Sequence, residues 1–227
     1  MNFFHKNNKL SKITNPKFIL GLILLIILGY LGNLFKINLF FGVDFIFGSI
    51  SSLIVVYFYG TKWGTLAALI ASIHTYFLWN HYYAIIIFTL EAMFVGVILN
   101  RQRFQNIVLL DGIYWIFLGI PLVGLFYGFV LHLNTMQTVL IMLKQSVNGF
   151  FNALICNLIL TYVPINKLLS SSRKENYSSF QTTIFNFLMA FILFPALIIT
   201  IFDSQGTLIH ICLLYTSPIP RDLAQSR

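Results

Sequence analysis

Apolar residues run through this chain in long blocks separated by short polar breaks, and the spacing of the breaks predicts about seven helices. The blocks lie near Phe18–Phe35, Asp44–Tyr59, Trp63–Trp79, Tyr82–Leu99, Asp111–Leu131, Met136–Tyr162 and Phe180–Phe202. Most approach the roughly 20 residues that cross a bilayer as a helix, and Asp44–Tyr59 is the short one. Asn15-Pro16 suits a helix start, with Asn as cap and Pro in the first turn. Gly60-Thr61-Lys62 turns the chain, Pro121 kinks the fifth block, and Pro164 ends the sixth. Ile37–Val43 is a short apolar connector suited to the membrane interface.

Composition turns these blocks into membrane spans. Of 227 residues, 58% are hydrophobic and only 9% charged. A soluble domain carries about 25% charged residues, so a soluble core of this length could not hide such a surplus. The strict alternation of a membrane β-barrel is absent. The first apolar run has no small-residue cleavage site behind it, which argues against a cleaved signal peptide. The expected fold is therefore all-α: a polytopic transmembrane helical bundle of about seven spans.

The charge pattern orients it. Lys6, Lys9, Lys12 and Lys17 precede the first span; Lys62, Arg101, Arg103, Lys167, Arg173 and Lys174 occupy alternate loops. Only Lys36 falls on the other side, so the basic N-terminus, residues 1–17, is expected to be cytoplasmic. The net charge of +8 is spread over these loops and forms no patch, so no nucleic-acid partner is expected. The cysteines, Cys156 and Cys212, give neither a disulfide framework nor metal spacing. Trp79, Tyr82 and Tyr83 mark the outer boundary, and small residues at Gly60, Gly64, Ala68 and Ser72, and at Gly124 and Gly128, supply close-packing faces.

Against this background the polar residues inside the spans stand out. Lys144, Asn148 and Asn152 are four apart and form one stripe on the sixth helix, with Gln145 beside it. Glu91 in the fourth span lies at a depth similar to Lys144, His74 lies in the outer half of the third, and Asp44 sits at the outer end of the second. An isolated charge in lipid costs several kcal/mol, so Glu91 and Lys144 are expected to face each other. The candidate pocket is Glu91, Lys144, His74, Asn148, Gln145 and Asp44, open either to a small ligand or to a purely structural ion pair. Asp111 begins a span, where an N-cap role suffices, and Asn152 and Asn157 read as interhelical hydrogen-bonders. No nucleophile elbow, phosphate-binding glycine loop or metalloprotease motif occurs, so neither enzymatic activity nor a cofactor nor a metal is expected of this chain.

The segments VDFIFGSISSLIVVYFYGTKWGTLAALIAS, HYYAIIIFTLEAMFVGVILNRQR, DGIYWIFLGIPLVGLFYG and LKQSVNGFFNALICNLI resemble a bacterial family. It is the membrane-embedded N-terminal sensory region of multidomain signalling proteins, the PAS-containing sensor histidine kinases and diguanylate cyclases. The resemblance covers about Val43–Asp203 and implies an inner-membrane input module, used as a homodimer and followed by output domains. The alternative class is a small-solute-binding membrane subunit of an uptake transporter. The tail CLLYTSPIPRDLAQSR, Cys212–Arg227, resembles the translation of a transposase-type sequencing adapter, with Ile219 in place of a Ser. The expected layout is thus a membrane domain over 18–203, the start of a truncated extracytoplasmic segment over 204–211, and a non-native tail over 212–227.

Overall fold

The computed structural model describes residues 16–38, 44–101 and 106–163, together with Ile184, Leu188 and Met189. The seventh expected span, the segment 204–211 and the tail lie outside the described residues, apart from those three positions. Among the described residues, four helices are long and apolar enough to cross a membrane: Pro16–Leu34 (α1), Tyr83–Asn100 (α5), Ile107–Val130 (α6) and Thr135–Tyr162 (α7). Three shorter helices lie between α1 and α5: Gly48–Tyr59 (α2), Thr61–Ser72 (α3) and His74–Trp79 (α4). The chain is a helical membrane protein, as its apolar blocks require.

α1 shows how one helix meets two environments. Gly21, Leu22, Leu25, Gly29 and Asn33 form its buried stripe. Ile19, Leu20, Ile23, Leu24, Ile27 and Leu28 are exposed on the other side. An exposed face made only of branched aliphatics suits lipid and not water. The buried stripe packs against α2 and α3, where Gly29 lies close to Ala71 and Ser51.

The predicted second and third spans are both interrupted. Asp44–Phe45 (β2) is extended and pairs antiparallel with Ile37–Asn38 (β1), Ile37 opposite Phe45 and Asn38 opposite Asp44. Helical structure resumes only at Gly48. α2 and α3 are joined by the single residue Gly60, at φ 88° and ψ 176°, a conformation open essentially to glycine alone. Gly64 lies directly on the Val56 backbone, so the two helices form a tight antiparallel hairpin. At the far end of α3 the backbone carbonyls are diverted. The Ser72 hydroxyl donates to Ala68 O at 2.6 Å, and the Asn33 amide donates to Ala71 O at 2.8 Å. These bonds compete with the helical ladder and separate α3 from α4 at Ile73.

α6 begins at Ile107 with Asn106 as its cap, whose side chain accepts from Val108 N and Leu109 N. The expected kink at Pro121 takes a specific form. Two stretches, Trp115–Gly119 and Gly124–Val130, are wound as the wider π-helix on either side of it. Proline removes one N–H and crowds the carbonyl four residues earlier, and a wider turn relieves both. Gly124 and Gly128 of α6 meet Met142 and Thr138 of α7, a packing use of small residues. Among the described residues the core has two apolar clusters. One is centred on Leu53, Val55, Ala67, Val95 and Leu110, the other on Ile87, Phe88, Tyr114, Trp115 and Val123.

Candidate functional site

The polar stripe of α7 resolves into separate tasks. Asn148 Oδ1 accepts the backbone N–H of Ile46 at 3.0 Å, and the Asn152 amide donates to the Ile46 carbonyl at 3.0 Å. Two asparagines one turn apart thus bracket a single residue of extended chain. Ile46 and Phe45 are each only 2% exposed, so these backbone groups have no access to water. Non-helical backbone survives at membrane depth only when protein groups satisfy it, and here α7 supplies them. Asn33 of α1 completes the joint by accepting the Gly48 N–H at 2.6 Å. The expected interhelical role of Asn152 is therefore corrected: its partner is an extended segment.

The expected Glu91–Lys144 pair does not form. Glu91, 1% exposed, accepts the Ser49 hydroxyl at 2.8 Å on one oxygen and the Trp115 indole N–H at 3.1 Å on the other. Lys144 instead lies over the Trp79 ring, its Nζ 4.7 Å from the centroid, a cation–π contact. Asp44 acts on Lys144 electrostatically, with Lys36 opposing it. Asp44 itself is ion-paired to Lys36 at 2.9 Å. Similar height on two helices did not bring the charges together, because each helix is rotated to satisfy a nearer partner.

The remaining candidates separate further. His74 packs edge-on against Tyr30 at 5.5 Å and lies tilted against Phe77 at 6.3 Å, an aromatic packing role. Gln145 is 2% exposed, and its side-chain oxygen has no hydrogen-bond partner among the described residues. Asp44, Lys36, Lys144 and Trp79 thus make a charged group next to the joint that Asn148 and Asn152 hold.

One acidic residue was placed wrongly by sequence reasoning. Asp111 caps no helix, because α6 starts four residues earlier and Asn106 takes that role. Asp111 is fully buried, and its carboxyl lies within hydrogen-bonding reach of Glu91. Neither Asp111 oxygen meets an N–H or O–H donor among the described residues. Trp115, which steadies Glu91, sits in a slot that Gly149 leaves open; a β-carbon there would overlap the indole. The spacing Asp111–Trp115 places both on one face of α6 and was a legible signal for a shared task.

Beside Ser49 lies a small cavity lined by Asn33, Ile46, Gly48, Ser52 and Ser72 among others, with room for about one water molecule. It connects the joint to the carboxyl pair through the Ser49 side chain. Among the described residues no group of three or more His, Cys, Asp or Glu is arranged to hold a metal ion. No protein-family model, characterised protein or solved structure matches this chain.

Proposed function

We propose that this chain is the membrane-embedded sensory module of a bacterial signalling protein, crossing the inner membrane about seven times with its N-terminus in the cytoplasm. The observation that carries this reading is the non-helical joint at Phe45–Phe47, which ties α1, α2 and α7 together through Asn33, Asn148 and Asn152. A signal acting on the charged group, one residue from the joint at Asp44, would load those three asparagine contacts. A helix bundle with such a joint can favour either of two packings, and a ligand biases it by differential affinity. Neither a pocket for substrate nor a nucleophile arrangement is part of this reading, so the module itself performs no chemistry. The test is the coding sequence downstream of the membrane domain. A cytoplasmic kinase or cyclase domain in frame is expected; a native stop within a few codons of His210 would overturn the reading.

A second reading is the solute-binding membrane subunit of an uptake transporter. Its specific support is the break before α2, since discontinuous membrane helices commonly frame solute sites. Vesicles carrying the protein would then retain a labelled vitamin-type solute above the level of empty vesicles, whereas a sensory module would not.

A further inference from the structure

The geometry points to Glu91 and Asp111 as a binding site for one proton, held between the two carboxyl groups and carried by Asp111. Three observations converge on it. The carboxyls face each other in the core, at 1% and 0% exposure, and neither is ion-paired to a described residue. Two adjacent carboxylates with no cation cannot both stay ionised in such a place, and a shared proton removes the repulsion. Donor placement then decides which oxygen carries it. Both Glu91 oxygens already accept, one from Ser49 and one from Trp115, so Glu91 is set up as the anion. Asp111 has no donor and so fits the role of the acid, giving its O–H to Glu91.

The other titratable groups near the pair do not replace the proton. Tyr114 gives its hydroxyl to the Ile87 carbonyl at 2.6 Å, and Cys156 of α7 is a buried thiol. Neither brings a positive charge. On the α2 side the Ser49 hydroxyl donates to Glu91 and lines the water-sized cavity. The site stands whether the chain senses or transports, because its two acids and the donors to Glu91 come from α2, α5 and α6.

Infrared spectroscopy of the full chain in lipid nanodiscs tests this directly. Near neutral pH the wild type should show the C=O stretching band of one neutral carboxylic acid, shifted on exchange into heavy water. Asp111→Asn should abolish the band, because the new amide can donate to Glu91 while Glu91 stays ionised. Glu91→Gln should keep the band but move its frequency, because Asp111 remains an acid with a changed acceptor; this variant serves alone if Asp111→Asn does not fold. Absence of the band in the wild type, its persistence unaltered in both variants, or its loss on adding sodium chloride at constant pH would each overturn the assignment. The last result would mean that a metal cation occupies the pair.

Discussion

Single side chains carry much of the specificity here, and Asn148 is the clearest case. Replacing it with Ala leaves the Ile46 N–H buried without an acceptor, which should cost about 1–3 kcal/mol. Reversible unfolding in mixed detergent micelles would measure it, and Asn148→Asp, which keeps the acceptor, should recover part of the loss only at low pH. Gly149→Ala makes a different prediction. The added methyl pushes Trp115 from its slot and separates it from Glu91, at about 1–3 kcal/mol for an overpacked site. A changed near-ultraviolet tryptophan dichroism should accompany the lost stability; an unchanged spectrum would show that the slot is looser than its geometry. These residues also mark the boundary of what sequence can tell. The Lys144, Asn148 and Asn152 stripe was visible from spacing alone. Its partner was not, because an unwound stretch at Phe45–Phe47 carries no proline to announce it. Glu91 and Lys144 were matched by depth, but depth leaves the rotation of each helix undetermined, and Trp115 and Trp79 are the partners that rotation selected.

Among the elements, the α2–α3 hairpin offers two glycines that fail for unlike reasons. A β-carbon on Gly60 meets nothing within 4 Å, so Gly60→Ala costs only backbone strain at φ 88°, about 1–3 kcal/mol. A β-carbon on Gly64 meets the backbone of Val56, which cannot move aside as a side chain can. Gly64→Ala should therefore splay the two helices, and the distance between labels placed on α2 and α3 should grow. In Gly60→Ala it should not, although both variants lose thermal stability. The apolar blocks forecast α1, α5 and α7 to within about two residues, because a helix in lipid must satisfy its own backbone. They missed the non-helical start before α2 and the break between α3 and α4, where Asn33 and Ser72 provide side-chain alternatives to the helical ladder. Asp111 was misread for the same reason at a smaller scale: the true cap, Asn106, was hidden in what looked like loop.

At the scale of the whole molecule, one titratable group lies in the turn between α4 and α5 and links the ends of several helices. His81 packs edge-on against Tyr127 of α6 at 5.0 Å and near Tyr83 and Trp79. Burial holds its pKa below the ordinary histidine value. A base whose folded pKa is depressed favours the neutral form in the fold. Its contribution is complete above the unfolded value of about 6.5 and declines as pH falls below that, toward the folded value. The thermal midpoint in nanodiscs should therefore drop between about pH 7 and pH 5, and His81→Phe should flatten that part of the profile. The difference between the wild-type and His81→Phe profiles isolates the imidazole.

The wide turns of α6 have a consequence for how this helix can change. Each fits one surplus residue into a turn, so everything beyond is rotated by roughly 100° relative to an unbroken α-helix. Excising one residue between Trp115 and Gly119 would straighten the rod and make it locally more regular. It would also swing Val123 and Tyr127 from the interior toward the lipid. Here a shorter chain would be a better helix and a worse protein.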